Sequence, residues 1–278
     1  MSNTRKRRGG TRVSQLRPLE AMPLHGIAEN LYSLQQDLVT ARKIQGRLLP
    51  PKPEFAGYDF EVYYQPAGEV GGDFYDFLPM DDGRMGLLVA DASGKGLAGA
   101  LLMVEARAMI RAMASVSASP REILAGVNRV LLRDLEKGRF VTACYGLLDP
   151  ERRTLTVANA GHTPLLLCRE ADKTLVQLQP TGPILGVVPD AKFSAALVEE
   201  TATLRPGDRF LLFSDGVSEL MNPVNEEFGM DRLTTWMGVN AHLWSEDAVR
   251  SLSDTLEHHR AGQMQSDDIT ILTGRLDP

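Results

Sequence analysis

Three short apolar runs, residues 85–90, 209–213 and 269–272, each adjoin an acid: Asp91 after the first, Asp215 just past the second, Asp267 just before the third. Apolar runs of this length between turn residues read as buried strands. Strands of that kind need cover on both sides, which calls for a layered domain with a substantial core. A fourth acid, Asp73, follows a glycine pair in Glu69-Val70-Gly71-Gly72-Asp73-Phe74-Tyr75-Asp76. Acids at strand ends are held rigidly, and glycines beside them let a backbone carbonyl or a phosphate come close.

The rest of the chain supplies the other layers. Residues 58–64 are rich in aromatics and Val, and read as a strand. Residues 74–80 and 84–90 flank Asp81-Asp82-Gly83, a hairpin signal. The Ala-, Leu- and Met-rich stretch 97–114 predicts a helix. Ser119-Pro120, with Glu122 close behind, opens a second helix that runs to Leu135. Residues 140–148, 154–159 and 164–168 predict a meander, turned by Asp149-Pro150-Glu151-Arg152 and Asn159-Ala160-Gly161-His162. Further strands are expected over 174–178 and 193–204, on either side of the loop Thr181-Gly182-Pro183-Ile184-Leu185-Gly186. Arg205-Pro206-Gly207-Asp208 turns into the strand at 209, and a helix over 247–260 precedes the last strand. There is no βαβ alternation and no internal repeat. The expected fold is α+β, a layered β-sandwich flanked by α-helices over residues 52–278, preceded by an N-terminal linker helix.

That linker is expected over residues 23–50. Leu24, Ile27, Leu31, Leu34, Leu38, Ala41, Gln45 and Leu48 are spaced by threes and fours, a heptad seam with a polar break at Gln45. Pro50 and Pro51 end it. The seam predicts a parallel dimerising helix; packing on its own domain is the alternative. Residues 1–22, with Arg5-Lys6-Arg7-Arg8-Gly9-Gly10, read as a disordered basic tail. The net charge of −6 over 278 residues argues against a general nucleic-acid binder. No apolar run nears the roughly 18 residues of a membrane span, and no secretory pattern follows the N-terminal charges. Cys144 and Cys168 lie in strand-like stretches without metal-ligand spacing, and read as reduced core residues of a cytoplasmic protein.

Four acids at comparable corners suggest divalent cations. Hard cations take carboxylates, carbonyls and water. Carboxylates gathered without a cation repel one another and raise each other's pKa. Two such cations can share a water and clamp a phosphoryl group. Each corner alone also fits an ordinary turn, and Asp149 and Asp208 are assigned to turns. His162 reads as structural before it reads as a ligand, and Phe74 and Tyr75 as core. Ser93-Gly94-Lys95-Gly96 is not a Walker A loop, because Val89 and Gly96 stand where Gly and Ser/Thr are needed. Gly71-Gly72-Asp73-Phe74 lacks the second acid of the diguanylate cyclase signature.

As an ordered set, several motifs resemble the metal-dependent PPM-type (PP2C-like) protein serine/threonine phosphatases, in their bacterial SpoIIE/RsbU branch. They are Ile44-Gln45-Gly46-Arg47-Leu48-Leu49-Pro50, Gly71-Gly72-Asp73-Phe74-Tyr75-Asp76, Asp91-Ala92-Ser93-Gly94-Lys95-Gly96, Asn159-Ala160-Gly161-His162, Gly182-Pro183-Ile184-Leu185-Gly186, Ser214-Asp215-Gly216-Val217 and Asp267-Asp268-Ile269-Thr270. The resemblance implies two divalent cations, Mn²⁺ or Mg²⁺. It casts Asp91 as their bridge, the Ala92 carbonyl as a further ligand, Asp73 as a ligand of the second metal, and Asp215 and Asp267 as ligands of the first. Asp268 stands where many relatives outside this branch have Asn, and would be accessory. A metal-bridged hydroxide would attack phosphorus in line, without a phosphoenzyme. The Arg that holds phosphate in eukaryotic relatives has no placeable equivalent; Lys95 is a candidate by charge. The implied substrate is phosphoserine or phosphothreonine on a STAS-domain anti-sigma-factor antagonist. Control would come from a partner protein or from the linker helix, through the 97–114 helix that leaves the Asp91 loop. Two other readings stand beside this one: a catalytically silent, phosphatase-like partner-binding module, and a metal-dependent hydrolase of small phosphoesters or nucleotides.

Overall fold

The computed structural model describes residues 24–117 and 119–278; the tail expected over 1–22 lies outside the described residues. The first element, α1 (Leu24–Leu48), is the linker helix, with the bounds its heptad seam and the prolines predict. Its N-terminal half stands away from the domain, with Leu31 60% and Leu34 56% exposed. Its C-terminal half is docked. The polar break at Gln45 is buried, and its amide grips Gly71 both ways: Nε2 donates to the Gly71 carbonyl at 2.7 Å, and Oε1 accepts from the Gly71 N–H at 3.2 Å.

Among the described residues, two five-stranded antiparallel sheets follow. One orders β1 (Tyr58–Gln65), β10 (Ile269–Leu276), β9 (Arg209–Phe213), β6 (Leu165–Cys168) and β7 (Leu175–Leu178). The other orders β2 (Asp73–Pro79), β3 (Met85–Ala92), β4 (Val141–Asp149), β5 (Thr154–Ala160) and β8 (Glu199–Thr203). The α+β sandwich flanked by helices is therefore the fold observed. Tyr75, Phe77, Leu87, Val89, Cys144, Phe210, Leu212 and Leu272 fill the space between the sheets. Alternate residues on the same strands face outward under helices, as the two-residue period of a strand requires. Phe74, Leu88 and Ala90 meet α2 (Leu97–Ala114), α3 (Pro120–Asp134) and α4 (Asp190–Ala196). Leu211, Phe213 and Ile271 meet α5 (Asp215–Ser218), α6 (Gly229–Asn240) and α7 (Ser245–Arg260). Both cysteines are free and buried. No helix among the described residues is long and apolar enough to cross a membrane.

Local chemistry accounts for several bounds. The Ser119 hydroxyl caps α3 by accepting from the Glu122 N–H, with Pro120 in the first turn. Asp76, fully buried on the outward face of β2, takes two bonds from Arg111 Nη1 at 2.7 and 2.9 Å and stands 3.0 Å from Arg107 Nε. Both arginines belong to α2, so this buried ion cluster holds α2 onto the sheet.

Three expectations need correction. The meander over 140–168 stops after β5: β5 pairs with β4 and β8, whereas β6 crosses to the other sheet to pair with β7 and β9. The Asn159 side chain makes the break. It accepts from the His162 N–H and donates to the Thr163 carbonyl, closing a tight turn that redirects the chain. The strand expected over 193–204 is helix α4 followed by a strand of residues 199–203 alone. Phe193 and Leu197, four apart, are buried together on one side of that turn of helix, and the exposed Glu199 and Glu200 suit an edge strand. Helices α5 and α6 were not expected at all.

Candidate active site

The strand period carries the acids to one end of the sandwich. On β2, Phe77 and Tyr75 face the inter-sheet core and Asp73 is next on that face; on β3, Leu87 and Val89 lead to Asp91. Asp73 and Asp91 are registered opposite each other. On the facing sheet, Phe210 and Leu212 lead to Ser214, and Leu272 leads to Thr270 and then Asp268. Thr270 Oγ1 donates to Asp73 Oδ2 at 2.7 Å, which ties the two sheets together here. Asp215 opens α5 directly after β9, and Asp267 stands just ahead of β10.

Glycine sets how closely these walls approach. A Cβ on Gly72 would lie 2.4 Å from the Ala92 carbonyl oxygen, 3.2 Å from Asp91 Oδ1 and 3.4 Å from the Gly94 carbonyl oxygen. Three oxygens thus converge on space that only glycine leaves open.

Asp268 has a defined task. Oδ1 accepts from the Ala67 N–H at 2.8 Å, and Oδ2 accepts from the N–H groups of Gly72 at 2.7 Å and Asp73 at 3.2 Å. A Cβ on Gly71 would collide with the same carboxylate at 2.1 Å. Asp268 therefore clamps the Gly-Gly-Asp turn against the head of β10. From the other side the turn is held by Gln45. The sequence motif marks Asp268 but not this role, and the heptad spacing shows Gln45 only as a flaw in a seam.

The acids strain against one another. Burial, then the Asp91 charge, pushes Asp73 well above the usual carboxylate range, against the nearby Ser214 hydroxyl and the hydrogen bond from Thr270. Burial, then the charges of Asp215, Asp267 and Asp268, pushes Asp91 up to about 7. Burial and Asp267 raise Asp215. Glu219, one turn beyond Asp215, is also raised, by burial and then by Asp215. Glu219 is an acid of this rim that carried no sequence signal beyond its distance from Asp215. Buried carboxylates so crowded are relieved by protonation or by a cation.

The donor set fits a hard divalent cation: carboxylates, a backbone carbonyl and no sulfur. Among the described residues, no three His, Cys, Asp or Glu side chains are drawn together tightly enough to cage an ion by themselves. The Ala92 carbonyl and water would have to complete any coordination. Lys95 Nζ donates to the Ser266 carbonyl at 2.8 Å and stands 3.8 Å from Asp267 Oδ2, so its charge lies with the acids. His162 is buried behind Asp91: its Nδ1 is 2.7 Å from Oγ1 of Thr142, the residue registered opposite Asp91. Burial brings its pKa down to about 4, so the ring is neutral at pH 7.

Comparison with known proteins adds a second line. The family model described as Stage II sporulation protein E (SpoIIE) matches residues 81–277. Phosphoserine phosphatase RsbU of Bacillus subtilis is 27% identical over 259 residues, covering 92% of this chain and 74% of RsbU. Phosphoserine phosphatase RsbP of the same organism is 26% identical, covering 84% of this chain but only 56% of RsbP. Among solved structures, the SiaA-PP2C domain of Pseudomonas aeruginosa superposes with a TM-score of 0.80 at 25% identity, covering 90% of this chain and 100% of that one.

Proposed function

We propose that this chain, which belongs to the SpoIIE family of PP2C-type phosphatase domains, is a metal-dependent hydrolase of phosphoserine or phosphothreonine on a regulatory protein. One observation carries the reading: Asp73, Asp91, Asp215 and Asp267 come from two sheets to one end of the sandwich, where Asp91 is pushed up to about 7. In this reading, Asp91, Asp73, Asp215, Asp267 and the Ala92 carbonyl would hold two divalent cations, Mn²⁺ or Mg²⁺. When bound, such cations activate water and neutralise charge on phosphoryl oxygens. The chain's own part is positional. Asp268 and Gln45 fix the turn that carries Asp73, Thr270 orients the Asp73 carboxylate, and Gly72 keeps clear the space over the Ala92 carbonyl.

RsbU and RsbP are both named phosphoserine phosphatases, which supports the substrate class. The substrate proposed is a phosphorylated STAS-domain anti-sigma-factor antagonist, met in the cytoplasm. A homodimer through residues 24–48 and control by an activating partner complete the reading. Exposed Leu31 and Leu34 on α1 support the dimer, and the Gln45 grip on Gly71 supports a path from α1 to the site. Removing residues 1–48 should yield a monomer with altered rate and metal affinity; an unchanged rate and affinity in a protein still dimeric by light scattering would refute both points.

The test is phosphate release from a phosphoserine STAS-domain protein with Mn²⁺, with Mg²⁺ and with chelator, alongside Asp91→Asn and Asp215→Asn. Metal-dependent release, lost in both variants, is expected. Metal binding without turnover of any phosphoprotein would favour a silent partner-binding module. No metal binding at all would sink the reading.

A further inference from the structure

We infer that Arg139, packed against the Asp91 loop at Gly94, grips the phosphate of the substrate. The inference rests on the phosphatase reading and concerns how its site holds a phosphomonoester dianion. Arg139 lies in the turn ahead of β4 and reaches back to the Asp91 loop, where Nη1 donates to the Ser93 carbonyl at 3.2 Å. The Ser93 hydroxyl accepts from the Phe140 N–H at 2.9 Å, and the Ser93 N–H donates to the Phe140 carbonyl at 2.9 Å, so the two segments are bound side by side. A Cβ on Gly94 would lie 2.2 Å from Nη1 and 3.4 Å from Cζ, which places the guanidinium directly against that glycine. The Gly94 carbonyl oxygen, in turn, is one of the three oxygens that converge over Gly72 with Asp91 Oδ1. Gly94 therefore meets the guanidinium at its Cα and the oxygens over Gly72 through its carbonyl.

The charge on Arg139 is uncommitted. Arg107, Arg111, Arg169 and Arg275 each stand against a buried or half-buried carboxylate. Arg139 is half-buried, and among the described residues no carboxylate lies within ion-pair distance of it. Nη1 alone is bonded, and the other guanidinium donors make no hydrogen bond to the protein among the described residues. A guanidinium anchored at one corner with its fork open suits bidentate recognition of a tetrahedral dianion. Lys95, the other cation of this loop, is occupied by Ser266 and Asp267. Cations held by the acids and a guanidinium beside Gly94 would together hold a phosphoryl group.

The full chain, Arg139→Ala and Arg139→Lys are titrated with inorganic phosphate by calorimetry in Mg²⁺, and assayed on a phosphoserine protein. Removing one charge-assisted hydrogen bond corresponds to about 10- to 100-fold in affinity. Arg139→Ala should weaken phosphate binding and lower kcat/KM by that factor, with Mg²⁺ affinity unchanged. Arg139→Lys should recover part of the phosphate affinity. Phosphate affinity unchanged in Arg139→Ala, a parallel loss of Mg²⁺ affinity, or no phosphate binding by the unaltered chain would each overturn the inference. If the unaltered chain binds phosphate through Arg139 yet hydrolyses no phosphoprotein, the phosphate grip stands and the phosphatase reading falls.

Discussion

Replacing Asp268 with Ala should unfold the active end of the sandwich before it touches any chemistry. The carboxylate accepts three backbone N–H groups, from Ala67, Gly72 and Asp73. Hydrogen bonds to a charged group contribute about 1.5–3 kcal/mol each. Exposed Ala67 can turn to water, whereas the N–H groups of Gly72 and Asp73 are buried and would be left without an acceptor. Against this, the Asp268 charge raises both Asp73 and Asp91, and its removal relieves that repulsion. The two effects together leave a loss of about 2–4 kcal/mol at pH 7 in chelator. Asp268→Asn keeps one oxygen for Gly72 and Asp73 but turns an amide N–H₂ toward the Ala67 N–H, so its cost should be about half as large. Urea unfolding of the three proteins, in chelator and then in Mg²⁺, measures this. An Asp268→Ala protein within about 1 kcal/mol of the parent in chelator would refute the clamp. Lost metal affinity at unchanged metal-free stability would instead make Asp268 a ligand.

Two more expectations concern charge. The Asp91 pKa is about 7 in the fold against an ordinary 3.8, so the folded state holds the proton more tightly, and ionisation destabilises it. Metal-free protein should therefore lose stability as pH rises from about 4 to 7; Asp91→Asn should flatten that slope, and saturating Mg²⁺ should remove it in the parent. An identical pH profile for parent and variant would show that Asp91 carries no such load. Arg209, fully buried, bonds to Thr273 Oγ1 at 3.0 Å, Ser245 Oγ at 3.3 Å and the Ala241 and Leu243 carbonyls. Burial brings its pKa down to about 10, which still leaves it charged at pH 7. Arg209→Ala should cost about 3–5 kcal/mol by urea unfolding, because it strands four acceptors and opens a cavity; a loss under about 1 kcal/mol would show the network to be idle.

How far the chain could be read without a structure depended on whether the signal was local. Helix 97–114 and the linker helix carry their bounds in composition, period and proline, and both are found where expected. The hairpin at Asp81-Asp82-Gly83 is likewise a local matter. The crossing of β6 to the second sheet was not legible, because Leu165–Cys168 is apolar on both faces and suits either sheet. Residues 193–197 look like strand in the sequence because the helical pair Phe193 and Leu197 lies in a stretch too short to show its period. Gln45 looked like a defect because its partner, Gly71, is 26 residues away in sequence. Arg139 carried no pattern at all, since its meaning lies in what stands beside it.

The sequence alone determined which face of each strand the acids would share: the period of two puts Asp73 in line with Tyr75, and Asp91 in line with Val89. It also determined that the acids sit at strand ends, where glycine leaves room. Only the tertiary structure decided that these ends are the same end. Asp73 and Asp91 lie on one sheet, while Asp215 and Asp267 are carried by strands of the other, and nothing local says that two sheets stack with those ends together. The apolar core between the sheets drives the stacking, and the bonds of Thr270 and Asp268 across the gap hold Asp73 and its turn to the facing sheet. Burial there then does what no isolated peptide could, lifting Asp91 to about 7.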